Sequence, residues 1–351
     1  MTFAREVKNA VTVRAALLVI GVLALQLLFI ASYVGALHRP DPTDVPFGVV
    51  APKQASKQLV TQLDGLPGGP LDPRAVSDAA EAHKQVMNRD LDGALIVDPG
   101  GTTDTLLVAS GGGTVLANSL GKIVKQAEAP QHRTVRTVDV APASPDDFNG
   151  LSSFYLVVGW CVGGYLCASI LAISAGTKPA NRQRALIRTG VMALYSIAGG
   201  IGGAIIVGPV LGALPGSLWG LSGLGALIVF AVGMITLALE ALTGIVGIGL
   251  AVLIVVIAGN PSAGGAFPLP MLPEFWRAIG PALPPGAGTW AARSIAYFRG
   301  NALTGPLLVL SAWAVVGIAL NLLLSMRRRP TGPEGADGAR EAAAPGGSSL
   351  A

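Results

Sequence analysis

The chain has 351 residues, of which 51% are hydrophobic and only 13% charged, and its formal net charge is +4. Soluble domains carry about 25% charged residues, so this composition excludes an ordinary soluble protein. The charge is also divided unevenly, because residues 38–151 contain fourteen acidic and ten basic side chains. A nucleic-acid-binding protein would be basic throughout, and we therefore expect no nucleic-acid partner.

Six long apolar runs set the expected fold class. Each is close to the roughly 20 residues that an α-helix needs to cross a hydrocarbon core about 30 Å thick. Within lipid a helix also satisfies its own backbone polar groups. The runs predict an α-helical polytopic membrane protein, embedded in the lipid bilayer, with six transmembrane helices: residues 15–37, 154–175, 191–211, 218–239, 241–258 and 303–326.

The first run, residues 15–37, is longer than the apolar core of about 7–15 residues that is typical of a signal peptide. We therefore predict a retained transmembrane helix, preceded by a cytoplasmic segment at residues 1–14. A weak cleavage site at Val34, Gly35 and Ala36 leaves a removed signal peptide as the alternative.

Three clusters of basic residues indicate the orientation, since cytoplasmic loops retain Lys and Arg. The clusters are Arg5, Lys8 and Arg14; Lys178, Arg182, Arg184 and Arg188; and Arg327, Arg328 and Arg329. All three fall on one side of the membrane if both termini are cytoplasmic. Residues 38–151 are then outside. The tail at 327–351, rich in Gly, Ala, Pro and Ser, is expected to be disordered in the cytoplasm.

The outer block at residues 38–151 alternates strand and helix patterns, which predicts a small α/β domain between the first two transmembrane helices. The predicted strands are 47–50, 94–97, 105–109 and 134–140, and the predicted helices are 57–63, 76–89 and 114–127. The block has no cysteine and must be held together by an apolar core. The chain's two cysteines, Cys161 and Cys167, point in different directions on a helix and cannot pair with each other.

No catalytic or metal-binding pattern is present in the sequence. The three histidines, His38, His83 and His132, have no partner at a metal-ligand spacing. There is no nucleophile elbow and no Walker A motif, so the chain cannot hydrolyse a nucleotide alone. We expect neither an enzyme nor a bound cofactor or metal.

Three consecutive glycines, Gly111, Gly112 and Gly113, lie between a predicted strand and a predicted helix. Such a turn could bind an anion at the N-terminus of the helix. The preferred interpretation is a glycine turn that closes a strand–helix unit.

A single acid, Glu240, interrupts the nearly continuous apolar stretch at 218–258. A carboxyl group at mid-bilayer would be a functional candidate. Because the stretch has the length of two spans and Glu240 lies at its middle, we expect a tight cytoplasmic turn there. A buried polar role is the alternative. The glycines Gly199, Gly200, Gly202 and Gly203 in the third span are interpreted as packing features.

The segment at residues 260–300 resembles neither a span nor a polar loop. It contains two short amphipathic pieces, 273–279 and 288–298, with Phe275, Trp276, Trp290 and Tyr297 as expected interface anchors. Irregular backbone at membrane depth needs protein or a water-filled cavity beside it. We predict a re-entrant outer hairpin before the last span, formed with Asn260, Pro261, Gly264, Gly265, Pro273, Trp276, Pro281, Pro284, Pro285 and Gly286. The last three prolines of this set are expected to end the returning helix.

The strings GNPSAGGAFP and LPEFWRAIGPALPPGAG before the final span, with DDFNGLSSFYLVVGW entering the second, carry a family resemblance. The chain resembles the membrane subunits of type 2 ABC exporters, and more narrowly the YhgE/Pip (phage infection protein) group, over residues 10–326. The resemblance implies a permease subunit in a bacterial cell membrane that forms a homodimer and depends on a separate ATPase subunit. It would move a lipid, an amphiphile or a drug.

Within that family resemblance, the basic link with Lys178, Arg182, Arg184 and Arg188 is the only cytoplasmic segment that could couple to the ATPase. The same charges could serve only as positive-inside anchors. The alternative function is a non-transport envelope protein, whose outer domain binds a ligand, a partner protein or a phage.

Overall fold

The computed structural model describes residues 12–179 and 181–326. The predictions for Arg5 and Lys8, for the side chain of Arg14 and for the tail at 327–351 with its three arginines lie outside the described residues. The helices of the described part are α1 (Val13–Leu37), α2 (Lys53–Asp64), α3 (Ala79–Met87), α4 (Thr114–Glu128), α5 (Ser152–Ala175), α6 (Arg182–Ile205), α7 (Leu218–Thr243), α8 (Val246–Val252), α9 (Glu274–Ile279), α10 (Pro284–Tyr297) and α11 (Thr304–Met326). The strands are β1 (Val45–Val50), β2 (Leu71–Ala75), β3 (Gly93–Ile96), β4 (Thr103–Val108) and β5 (Thr134–Asp139).

Five helices of the described residues are long and apolar enough to cross a membrane: Ala15–Leu37, Ser152–Ala175, Arg182–Val210, Leu218–Thr243 and Thr304–Ser325. The fold is mostly helical with a small sheet, and it is consistent with a polytopic membrane protein. The stretch from Arg182 to Val210 includes a short π-helical end that continues α6.

The sixth predicted span, residues 241–258, is not a separate helix of spanning length. Leu239, Glu240 and Ala241 favour a helix, so α7 continues through them and ends only before Gly244, which has φ +69°. The remainder forms α8 and a π-helical stretch, together Val246–Gly259. At 1.5 Å per residue this piece is about 21 Å long, shorter than the hydrocarbon core.

The predicted alternation of strands and helices in the outer block is confirmed. The five strands form one sheet in the order β2-β1-β3-β4-β5, in which only the pair β3 and β4 is antiparallel. Helices α2 and α4 pack on one face, around Phe47, Leu95 and Leu120, and α3 packs on the other face. This domain therefore has its own apolar core.

Helix α7 lies at the centre of the membrane part and packs against α5, α6 and α11. Most of its most hydrophobic stretch is buried inside the protein. The first helix is different, because its side chains are mostly exposed and it contacts the rest of the chain near its C-terminal end. There the Ser32 hydroxyl donates to the carbonyl of Ile257, and Asn260 donates to the Tyr33 hydroxyl at 3.2 Å.

Candidate functional site

A buried arginine on α10 connects the α/β domain to the membrane helices. Arg293 is only 3% exposed. Its guanidinium has five N–H groups, and it makes five hydrogen bonds. The acceptors are Ser153 Oγ at 3.2 Å, Gly112 O at 3.0 Å, Gly264 O at 2.7 Å, Gly150 O at 3.1 Å and Gly265 O at 2.8 Å. One side chain thus joins the glycine turn of the α/β domain, the start of α5 and the loop after α8.

The charge of Arg293 is balanced by a nearby buried acid. Burial lowers the pKa of Arg293 to about 10, and the carboxylate of Asp147 partly offsets this effect. Asp147 accepts hydrogen bonds from the Tyr297 hydroxyl at 2.5 Å and from the backbone N–H of Ser152 at 2.7 Å. Tyr297 is therefore a buried partner of Asp147, and its predicted role as a membrane-interface anchor is wrong.

The three glycines of the α/β domain pack against the end of α10 and the loop after α8. A Cβ atom at Gly111 would lie 2.5 Å from Tyr297 Cγ, and one at Gly113 would lie 2.2 Å from Pro268 Cγ. The backbone N–H groups of Gly111, Gly112 and Gly113 already donate to Ala141 O, Ala109 O and Ser110 O. Because these N–H groups already donate to the protein's own carbonyl groups, they are not available to bind an anion. The structure therefore agrees with the preferred interpretation, a glycine turn that closes a strand–helix unit.

A cavity of 660 Å³ lies beside this junction. Its walls come from the end of α3 and the turn after it, the loop after α8, helix α10 and the first residues of α11. Most of the lining is apolar, and the apolar residues that define it include Leu269, Pro270, Ala287 and Val309. The charged lining residues are Arg89, Asp90, Asp92 and Arg293.

Arg89 is the cavity residue with unused hydrogen-bond donors. Its guanidinium carbon lies 3.4 Å from the centre of the Trp290 ring, and its Nη1 donates to Trp290 O at 2.8 Å and to Ser294 Oγ at 2.9 Å. Neither Nε nor Nη2 makes a hydrogen bond to the described residues. An arginine held flat on an aromatic ring with donors to spare can bind a carboxylate or phosphate group.

The charge of this site depends on burial. The pKa of Arg89 is lowered to about 9, mainly by burial and also by the like charge of Arg293, with a partial offset from Asp92. Arg89 therefore remains a cation at neutral pH. Burial also raises the pKa of Asp92 to about 6, with a partial offset from Arg89. As the pH falls through about 6, Asp92 takes up a proton and the net charge of the cavity becomes more positive.

The structure brings some of the predicted hairpin residues to this site. The carbonyl groups of Gly264 and Gly265 bind Arg293, and Pro281 and Gly286 line the cavity. Four other members of the predicted set do not line the cavity: Asn260 and Pro261 follow the π-helical stretch, Pro273 precedes α9, and Trp276 lies within α9.

Two residues of the predicted hairpin have a different role from the expected one. Pro284 and Pro285 do not end a returning helix; they begin α10. Proline suits the first turn of a helix because its fixed φ is already helical and its missing N–H would have no partner there. The second amphipathic piece, predicted at 288–298, accordingly begins earlier and is mostly buried.

The four basic residues predicted to be cytoplasmic differ in their exposure. Lys178, Arg182 and Arg184 are exposed, whereas Arg188 is buried and its Nη2 donates to the carbonyl groups of Ala175 and Gly176, both at 2.6 Å. Arg188 therefore caps the C-terminus of α5. Glu240 lies within α7 and is fully buried, so the preferred expectation of a turn at this residue is not what the structure shows.

The sequence interpretation missed Arg89 and Arg293 as site residues. One signal for Arg293 was present: Thr289, Arg293 and Tyr297 are four residues apart and so share one face of a helix. No spacing relates Arg89 to Trp290, which lie 201 residues apart in the chain. The described residues contain no group of three or more side chains that could hold a metal ion.

Taken together, the site is an apolar cavity with one guanidinium available for an anionic group. Comparison with protein-family models, with curated proteins and with solved structures found no match for this chain.

Proposed function

We propose that the chain is the permease subunit of a type 2 ABC exporter-like system, which moves a lipid, an amphiphile or a drug with a separate ATPase subunit. The observation that carries the proposal is the cavity. Its volume of 660 Å³ falls within the range of about 300–1,000 Å³ that is usual for ligand pockets. Its apolar walls suit a hydrocarbon part, and Arg89 suits an anionic group on the same molecule.

The sequence resemblance supports the remaining parts of this proposal. It implies a homodimer in a bacterial cell membrane. The three basic clusters of the sequence favour both termini in the cytoplasm and the α/β domain outside. The region around Val246–Gly259 would then complete a sixth crossing, and the loop after it would be the re-entrant hairpin. The ATPase would act on the exposed charges Lys178, Arg182 and Arg184.

Contacts between the α/β domain and the helices favour transport over the envelope-protein alternative. Besides Arg293 and Arg89, Asn301 donates to Met87 O at 3.0 Å, and Arg277 donates to Thr43 O at 3.0 Å. A domain that only captures an external partner needs no such attachment. A domain that closes a cavity against the helices needs it, because relative movement of the two parts would open and close the binding space.

Replacing Arg89 with methionine should weaken binding of an anionic amphiphile, because it removes the guanidinium that, among the described residues lining the cavity, has free donors. Hydrogen bonds to a charged group contribute about 1.5–3 kcal/mol, which corresponds to an affinity loss of about 10- to 100-fold. The measurement is a titration of the protein in nanodiscs of neutral phospholipid with dodecyl phosphate. Dodecyl trimethylammonium serves as the cationic comparison.

The matched control is Arg136→Met, since Arg136 is exposed on β5 and does not line the cavity. It should bind dodecyl phosphate like the unchanged protein. Equal loss in both variants would mean that surface charge alone attracts the anion. Preference for the cationic probe in the unchanged protein would contradict the proposed substrate class.

Replacing Arg182 and Arg184 together with glutamine should reduce recovery of the ATPase subunit, because two exposed charges of the proposed contact are lost. The measurement is a pull-down in mild detergent from native membranes, followed by identification of a bound subunit that carries a Walker A motif. The control is the pair Lys53→Gln and Lys57→Gln, which removes the same charge from the exposed surface of α2. Absence of any such subunit with the unchanged protein would favour the envelope-protein alternative.

A further inference from the structure

The carboxyl group of Glu240 is isolated inside the helix bundle. Glu240 lies near the C-terminal end of α7 and is 0% exposed. Neither of its oxygens makes a hydrogen bond of good geometry with the described residues. The hydroxyl of Ser169 on α5 lies close enough to interact with the carboxyl group, and it too makes no bond of good geometry. The two groups are thus buried with no partner beyond each other, whereas nearly all buried polar groups in proteins have well-formed hydrogen bonds.

The helices that pack against this end of α7 each contribute residues near Glu240. Arg188 is the charged group nearest to it and comes from α6. Gly247 of α8 packs against its backbone. From α11, Asn321 bonds the carbonyl groups of Met234 and Gly317, and Ser325 bonds Leu322 O. Within the described part of the chain, Arg188 is therefore the one titratable group that faces this carboxyl.

In this conformation the hydrogen bonds that Arg188 makes to the described residues come from Nη2 alone, and their acceptors lie at the end of α5 rather than on Glu240. Its Nη2 donates two short hydrogen bonds to the last carbonyl groups of α5, at Ala175 and Gly176. An ionised carboxylate left unpaired in an apolar interior is very unfavourable, and such a group takes up a proton instead. A protonated carboxyl is uncharged and leaves Arg188 free to cap α5.

We propose that Glu240 is a proton-binding site that controls the position of Arg188. In the observed arrangement the carboxyl carries its proton. When the proton is released to solvent, the carboxylate attracts the guanidinium, and Arg188 leaves the carbonyl groups of Ala175 and Gly176. The end of α5 and the link to α6, which holds the exposed charges Lys178, Arg182 and Arg184, would then be released. This inference does not depend on the identity of the exported molecule or on the ATPase.

Infrared spectroscopy of the full chain in a detergent without ester groups tests the proposal, since a protonated carboxyl has a carbonyl absorption that a carboxylate lacks. We expect the spectrum at pH 7 to contain this band, and Glu240→Gln to reduce it. Glutamine has the shape of the neutral acid, so the variant should fold with an unchanged melting temperature. The control is Glu274→Gln, at an exposed acid on α9, which should leave the band in place.

A second variant tests the link to Arg188. In Arg188→Gln the carboxylate would have no cation to pair with, so the band should persist to a pH about 1–3 units higher than in the unchanged protein. If Glu240→Gln leaves the pH 7 spectrum unchanged in the carbonyl region and lowers the melting temperature, the carboxyl is ionised and paired, and the proposal is wrong. If the band is lost at the same pH with and without Arg188, the proposed control of Arg188 is wrong.

Discussion

Replacing Arg293 with methionine should lower the free energy of unfolding by about 3–5 kcal/mol, the range for losing one partner from a buried charged network. Methionine fills a similar volume but donates no hydrogen bond. Four backbone carbonyl groups and the Ser153 hydroxyl would lose their donor, and Asp147 would remain buried without its nearby cation. Because these acceptors belong to three separate segments, the α/β domain should also separate from the helices.

Thermal unfolding in detergent measures the loss of stability, and limited proteolysis between the domain and α5 measures the separation. The matched control is Arg136→Met, because Arg136 is exposed on β5 and does not line the cavity. Substitutions at such exposed positions usually change the free energy of unfolding by no more than about 0.5 kcal/mol. Equal destabilisation by the two substitutions would show that Arg293 does not hold the domain in place. Arg293→Lys should have an intermediate effect, since lysine keeps the charge but has three donors instead of five.

The sequence was sufficient for features that depend on local pattern. Apolar runs of spanning length and alternating strand and helix patterns depend on neighbouring residues, and the structure confirms most of them. Strand β2 is an instructive exception, because Asp72, Pro73 and Arg74 make it unlike a strand. It forms the edge of the sheet, where a proline that cannot donate to a neighbouring strand is tolerated.

The two spans predicted in residues 218–258 show that an apolar pattern does not predict where one helix ends and the next begins. Residues 218–258 have the composition of two spans, and dividing the stretch at its middle placed the break at Glu240. The backbone breaks instead at Gly244, because glycine readily adopts the positive φ that ends a helix and glutamate favours the helix. Composition alone therefore placed the boundary wrongly, and the second piece, Val246–Gly259, is shorter than the span that was predicted.

The candidate site could not be predicted because it is built from contacts across the whole chain. Arg293 joins residues from the α/β domain, from the start of α5 and from the loop after α8. Arg89 looks like any surface arginine in the sequence, yet it lies on the Trp290 ring. Only the packing of the domain on α10 brings them together and encloses the cavity.

The glycines of α6 lead to the second large expected effect. The sequence identifies Gly199, Gly200, Gly202 and Gly203 as a group that permits close packing, but it does not distinguish between them. In the structure a Cβ atom at Gly200 would lie 2.4 Å from Ser222 O and 2.5 Å from Ala226 N, both backbone atoms of α7. At Gly202 a Cβ atom would meet nothing within 4 Å.

Gly200→Val should therefore force α6 away from α7 and destabilise the protein, at the upper end of the range of about 1–3 kcal/mol for overpacking, since helix backbone cannot move aside as a side chain can. Gly202→Val is the matched control on the same helix. It should leave stability unchanged or raise it slightly, because valine favours a helix more than glycine does. The measurement is the midpoint of thermal unfolding in detergent, with the amount of protein in the membrane as a check on insertion. If the two variants unfold at the same temperature, the close crossing of α6 and α7 at Gly200 does not exist in the folded protein.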